Sequence, residues 1–281
     1  MSTVIAKLMG GLGNQMFIYA GARAYSLRHN IDLRIDPSGI FFDPERTYAL
    51  PYWKGVTAPL ASKTCADPRQ PFAELKEQYY TMSPHPNVAY ETSGYWQDER
   101  YFKDFESTIR ADFTPKWEMT DRGKRMAELI DKAGKRSVLM TVRHGSHARY
   151  NAALPFSYQE AALAVVAQYV ENMHVFVSAD KDRCSPQAIE WVKSGMSLSY
   201  QHTILEDYDR CYGDHLGRDD EELTLMGMCQ HSVMANSTFA WWGRYLSPNQ
   251  GGINIWPKNL NPNKTLNPGF TLPPMAGWRT L

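Results

Sequence analysis

Four short segments carry residue types and spacings that could do chemistry. Gly10-Gly11-Leu12-Gly13-Asn14-Gln15 lies between an apolar run and a helical pattern. Glycines there let the backbone approach a pyrophosphate, which the helix N-terminus can then hold. The dinucleotide fingerprint needs a third glycine, and counting from Gly11 that position is Met16. The segment is therefore either a diphosphate turn, in which Asn14 and Gln15 hydrogen-bond the ligand, or a structural tight turn. Arg143-His144-Gly145-Ser146-His147 follows the apolar run SVLMTV (137–142). A guanidinium beyond a strand's carboxyl end can clamp a diphosphate bidentately; the alternative is a solvated polar loop. In Ala235-Asn236-Ser237-Thr238-Phe239 the hydroxyls either cap a helix or, with its first N–H groups, form an anion site. Asp180-Lys181-Asp182 has the spacing of a turn in which two carboxylates hold a divalent ion against a diphosphate. With a glycine turn and an arginine loop already able to meet that diphosphate, the metal becomes redundant. Trp241-Trp242 reads as core or as a platform for a sugar ring.

These segments are positioned by alternating strands and helices. TVIAKLM (3–9) is a strand, and the helix after the glycines puts Phe17, Ala20, Ala24 and Leu27 on one face. Leu33-Arg34-Ile35 is a second strand ending at Asp36, which makes the opening a βαβ unit. Residues 37–115 are rich in Pro, Tyr and Phe and show no usable period. DRGKRMAELIDKAG (121–134) is a helix ended by Gly134, and SVLMTV is the next strand. Ser157-Tyr158-Gln159-Glu160 has the form of a capping box, opening a helix through EAALAVVAQYV. HVFVSA (174–179) is a strand, and Ser185-Pro186 begins a helix that Gly195 can close. SYQHTIL is a strand, DEELTLMGMCQH an amphipathic helix, SVMAN a strand, STFAWWGRYL a helix and INIW (253–256) the last strand. The tail 257–275 is expected to be an extended surface segment. Such alternation predicts an α/β protein with a doubly wound parallel sheet. The 281 residues suffice for two lobes, divided here as 1–134 and 135–281.

Thirty Lys plus Arg balance thirty Asp plus Glu, so no global field selects nucleic acid or an anionic membrane. No stretch reaches the roughly 20 apolar residues that span a bilayer. Cys65, Cys184, Cys211 and Cys229 show neither CxxC spacing nor zinc-ligand spacing with histidine, and are expected to be reduced thiols of a cytoplasmic protein.

Four blocks then resemble, in order, segments of the α-1,2-fucosyltransferase family, glycosyltransferase family eleven. They are GGLGNQMFIYAGARAYSLRHN (10–30), GYWQDERYF (94–102), FVSADKDRC (176–184) and EELTLMGMCQHSVMANSTFAWWGRYL (221–246). The resemblance implies a GT-B-like fold of two facing α/β lobes, the N-terminal one carrying the glycine loop and the acceptor side. It implies inverting transfer of L-fucose from GDP-fucose to a glycan hydroxyl in α-1,2 linkage, with no metal or other cofactor, at or beside membrane-linked glycan synthesis. Arg143 matches the first arginine of the family's HxRRGDY motif, which holds the donor's diphosphate. Ser237 and Thr238 match residues near the phosphates, and Gly11, Asn14 and Gln15 match the loop facing the sugar-phosphate. Asp180 matches the second aspartate of FSDD. Gly13, Asn236 and Phe239 complete the expected donor-binding set. The chain departs from the family at Thr141, His144, Ser146 and His147 of HxRRGDY and at Ala179 of FSDD. A protonated His144 would replace the lost second arginine, since a bound diphosphate favours the imidazolium. Asp36 is the first candidate for a general base and His144 the second. The rival readings are transfer of another GDP-linked deoxysugar and a non-catalytic nucleotide-sugar or glycan-binding protein.

Overall fold

Val4, Ile5 and Ala6 are fully buried at the centre of strand β1, Thr3–Lys7. A strand covered on both faces reads as a continuous apolar run, and TVIAKLM is one. The computed structural model describes residues 2–41, 46–61, 70–73, 83–144, 152–179, 190–195, 200–205, 219–249, 251–260 and 272–281. They divide into two units, Met1–Trp117 and Glu118–Leu281.

In the first unit, helix α1 (Leu12–His29) joins β1 to β2 (Asp32–Asp36). Strands β3 (Gln70–Ala73) and β4 (Ala89–Ser93) complete a four-stranded sheet in the order β2-β1-β4-β3, and every pairing is parallel. Helix α1 is buried on nearly all sides, so Phe17, Ala20 and Ala24 are core residues but do not form a single stripe. Leu27, expected on the same face, is only half-buried. Asn30 ends the helix in the left-handed region at φ 51, its N–H reaching Leu27 O and Ser26 O. Helix α2 (Glu106–Asp112) packs back on α1, where Asp112 accepts hydrogen bonds from Tyr19 Oη (2.9 Å) and Arg23 Nε (3.1 Å).

The second unit contains α3 (Asp121–Ala133), β5 (Ser137–Val142), α4 (Phe156–Ala167), β6 (His174–Ala179) and β7 (Gln201–Ile204). It continues with α5 (Asp219–Met228), β8 (His231–Val233), α6 (Thr238–Tyr245), β9 (Asn254–Trp256) and β10 (Arg279–Thr280). The six strands run parallel in the order β10-β9-β8-β5-β6-β7. Val138, Met140 and Val142 pack with Val175, Val177, Val233 and Ile255 and with Ala162, Leu163 and Val166 of α4. One face of the sheet is thereby assigned to α4. The alternate residues of β5 and β6 point to the opposite face, where Ser178 meets Glu222 of α5. The sheet is doubly wound.

Several expectations are corrected. The units meet at Trp117/Glu118, so α3 belongs to the second unit and not to a lobe ending at 134. Glu221 ties α3 to α5: its carboxylate accepts from Thr120 N (2.6 Å) and Oγ1 (3.0 Å) and lies against Gly123. Helix α5 is not amphipathic, because Asp220, Glu221 and Glu222 are buried along with Leu223, Leu225 and Met226. Carboxylates in a first turn are favoured by the helix dipole, and specific partners let two of them go inside. The capping box does not form: α4 begins at Phe156 behind Pro155, with no side-chain cap. Glu160 instead accepts from Trp191 Nε1 at 3.2 Å. INIW is not the last strand, since β10 pairs beyond it. The tail is also more than surface, because Leu272 is buried and Pro273 O accepts from Trp241 Nε1 at 3.1 Å. Trp241 and Trp242 are core residues, Trp241 stacked on Tyr245 at 4.9 Å. Burial pushes the Cys229 thiol up to about 12, which makes it inert. Cys65, Cys184, Cys211 and the Ser185-Pro186 start lie outside the described residues.

Three histidines couple this fold to pH. His231 Nδ1 accepts from Ile253 N–H (2.9 Å), and its Nε2 faces Lys135 O at 3.0 Å, which selects the neutral Nε2–H tautomer. Burial, and after it Arg136 and His202, lowers the His174 pKa, and burial followed by Arg28 lowers that of His29. Burial is likewise the largest influence lowering His231. Unfolded histidine titrates near ~6.5. Below that value the unfolded chain binds protons that the folded chain refuses, so stability falls as pH drops and levels off below the folded pKa values. The urea midpoint should therefore decline from pH 7.5 to 6. A midpoint constant over that range would show that these rings are not coupled to folding.

Candidate functional site

From β5 the chain builds outward through β6 and β7 on one side, then returns to add β8, β9 and β10 on the other. The connections leaving β5 and β8 diverge, and the crevice between them at the carboxyl ends is where open α/β sheets bind ligands. Arg143 is the first residue beyond β5, and Met234 to Ser237 connect β8 to α6. Thr141 Oγ1 accepts from Ala235 N at 2.6 Å and pins the two sides together at this point.

Arg143 is 7% exposed. Its Nη2 donates to Ser178 Oγ at 3.1 Å and stands 3.8 Å from Glu222 Oε1, while the guanidinium lies over Phe239, 5.3 Å from the ring centroid. Ser237 heads α6 in extended conformation, yet its hydroxyl makes no capping hydrogen bond. Of the two roles open to it, capping is the one not taken. Thr238 and Phe239 form the first turn beside it, both half-buried. Asn236 does something else. Its Nδ2 donates to Ala152 O (2.9 Å) and Leu260 O (2.6 Å), so its amide staples the loops after β5 and β9 to the loop after β8.

His144 lies apart from Arg143. Its ring stacks on Phe156 of α4 at 4.4 Å, Phe156 stacks on Trp191 at 4.6 Å, and its Nε2 donates to Leu154 O at 2.8 Å. Successive residues leaving a strand point to opposite faces, so Arg143 goes to the α5–α6 side and His144 to the α4 side. Gly145, Ser146, His147, Asp180 and Asp182 lie outside the described residues.

The glycine turn belongs to the first unit. Gly10 has φ +72, the left-handed region that favours glycine. Gly11 is the N-cap of α1, and Gly13 is buried in its first turn. Asn14 Oδ1 accepts from Gln97 Nε2 at 2.9 Å, tying the loop after β1 to the loop after β4. Gln15 is wholly buried; its Nε2 donates to Gly10 O (3.0 Å) and Thr47 O (2.8 Å), and its Oε1 accepts from Ala49 N (3.2 Å). These three hydrogen bonds position the turn. Asp36 is half-buried at the end of β2, with Oδ1 accepting from Ser38 N at 3.0 Å.

The structure adds residues absent from the sequence reading. Ser178 and Glu222 partner Arg143, and Arg46 Nη1 would lie 3.2 Å from a Cβ at Gly11. Arg46 falls where the sequence shows no period, and Glu222 sits in a helix whose charges look like a solvated face.

The family model described as glycosyl transferase family 11 matches residues 68–268. The chain belongs to that family. It is similar to an alpha-1,2-colitosyltransferase of Escherichia coli, with 26% identity and 92% of each chain covered. It is also similar to the O-antigen biosynthesis glycosyltransferase WbnK of Escherichia coli, at 21% identity over 44% of this chain and 36% of that one. Among solved structures, fucosyltransferase NodZ from Bradyrhizobium matches at TM-score 0.55 and 16% identity, covering 88% of this chain and 93% of its own. A NodZ alpha-1,6-fucosyltransferase co-crystallized with GDP matches at TM-score 0.54 and 16% identity, covering 88% and 92%. At that identity the likeness is one of fold, and the fold is GT-B-like. As a glycosyltransferase, the chain places Arg143, the residue that follows β5, at the strand-order reversal of its six-stranded sheet. None of its described helices is long and apolar enough to cross a membrane.

Proposed function

We propose that this glycosyltransferase moves L-fucose from GDP-fucose to a hydroxyl of a glycan acceptor in α-1,2 linkage, with inversion and without a divalent metal. The observation that carries the reading is Arg143, buried at the β5–β8 crevice beside the N-terminus of α6, whose Ser237 hydroxyl makes no capping hydrogen bond. As the anomeric C–O bond breaks, negative charge develops on the departing diphosphate. A fixed guanidinium and aligned helix N–H groups stabilise that charge without reorganising, because both are in place beforehand. They supply the positive charge a metal would otherwise bring. The acceptor oxygen attacks the anomeric carbon from the opposite side and loses its proton late. A general base then adds only ~10²–10⁴-fold.

Similarity to an alpha-1,2-colitosyltransferase, 26% identical over 92% of both chains, favours a second donor reading, a colitosyl residue on the same nucleotide. Thermal-shift and turnover measurements over a panel of nucleotides and nucleotide sugars separate the two, since a ligand that binds only the folded state raises Tm. GDP and one GDP-deoxyhexose should stabilise the protein, and UDP and its sugars should not. Turnover should survive EDTA. Loss of transfer in EDTA with recovery in manganese would reverse the metal reading and bring Asp180 and Asp182 forward as ligands.

A further inference from the structure

We propose that Glu222, acting through Ser178, is the positioning residue that orients Arg143 for the donor's diphosphate. The inference rests on the reading of Arg143 as the diphosphate-binding cation. Three elements converge here: the residue beyond β5, the fifth residue of β6 and the first turn of α5. Ser178 is fully buried, and its single hydroxyl proton is donated to Glu222 Oε1 at 2.5 Å. Its oxygen then accepts from Arg143 Nη2 at 3.1 Å. A guanidinium can only donate, and an ionised carboxylate can only accept. The chain Arg143 to Ser178 to Glu222 therefore runs in one direction only. At 3.8 Å the carboxylate attracts Nη2 but does not hydrogen-bond it, so the serine sets the geometry. Ser178 restrains an edge of the guanidinium and Phe239 restrains its face. Together they fix the plane of the fork, which bidentate contact with phosphate oxygens requires.

The charge of Glu222 works against ground-state binding of an anion. A carboxylate beside the diphosphate's cation repels the diphosphate, so retaining one there makes sense for orientation and not for affinity. This separates a positioning role from a merely structural one. Glu222→Gln keeps the shape and removes the charge. It should lower kcat by roughly 10–100-fold, the range for groups that orient a contacting ligand, with GDP inhibition unchanged or tighter. Ser178→Ala should lower kcat in the same direction. Glu221→Gln is the internal control, since its carboxylate serves the Thr120 cap of α3. It should lower Tm and leave the kcat of the folded enzyme within about twofold.

Assays of these variants with Arg143→Ala and a GDP-deoxyhexose donor decide the matter. A Glu222→Gln kcat near wild type beside a crippled Arg143→Ala overturns the proposal and spares the donor-site reading. Losses of kcat, GDP affinity and Tm in step for Glu222→Gln also overturn it, because that is the pattern of a structural residue. Full activity in Arg143→Ala overturns the donor-site reading itself, and the role of Glu222 falls with it.

Discussion

Arg143→Ala should lower kcat/KM by 2–4 kcal/mol in transition-state stabilisation, roughly 30- to 1,000-fold, the scale of a lost charged donor at a developing anion. The size follows from burial. At 7% exposure the guanidinium acts where water screens it poorly, and a fully solvated arginine could not deliver that much. The substitution also leaves the Glu222 carboxylate buried without its cation, and such unpairing destabilises folding. Rates should therefore be normalised to folded protein by circular dichroism or active fraction. Arg143→Lys keeps the charge and loses the fork, so it should fall between Arg143→Ala and wild type. Near-full transfer by folded Arg143→Ala would take the residue out of the mechanism.

Gln15→Leu is expected to destabilise the chain by about 3 kcal/mol, since three hydrogen bonds go and their partners are left unmet in the interior. Leucine nearly conserves the volume, so little of the loss comes from packing. The abandoned groups are Gly10 O, Thr47 O and Ala49 N, which join the glycine turn to the segment after β2. Two views of this residue make opposite forecasts. If Gln15 touched the donor, Leu would weaken binding with little change in the urea midpoint. Buried and fully engaged as it is, it should shift the midpoint strongly, and activity should fall only as far as the turn loosens. An unchanged midpoint would refute the structural assignment. Asn14, half-buried and bonded to Gln97, offers the contrast, with a small midpoint shift.

The alternation of strands and helices was legible in the sequence because buried parallel strands leave a plain local mark. SVLMTV and HVFVSA are buried at every position, and their runs announce it. The same logic located Arg143 beyond β5 and Ser237 at the start of α6, since a residue's place at a strand or helix end is a local property. The segment 37–115 was not legible. Its order comes from pairings such as Lys54 N to Thr114 O and Gly55 N to Asp112 O, which leave no period in either partner.

Capping was the clearest local misreading. Ser157 and Glu160 have the spacing of a box, but Pro155 starts the helix earlier and Trp191 takes the glutamate. The acidic start of α5 was a deeper one, because hydrophobic periodicity assumes that charge means water. Charge can be buried when a distant group meets it, and here Thr120 meets Glu221 while Ser178 meets Glu222.

The sequence by itself determined the family, the parallel α/β layering and which segments stand at the carboxyl ends of strands. Only the tertiary structure decided which of those residues work together. It put Arg143 with Ser178, Glu222 and Phe239, turned His144 away onto Phe156, and made Gln15 and Asn236 into staples. The physical reason is that a buried polar group must be satisfied by whatever the fold brings beside it. That neighbour comes from another strand or helix, and no local pattern records it.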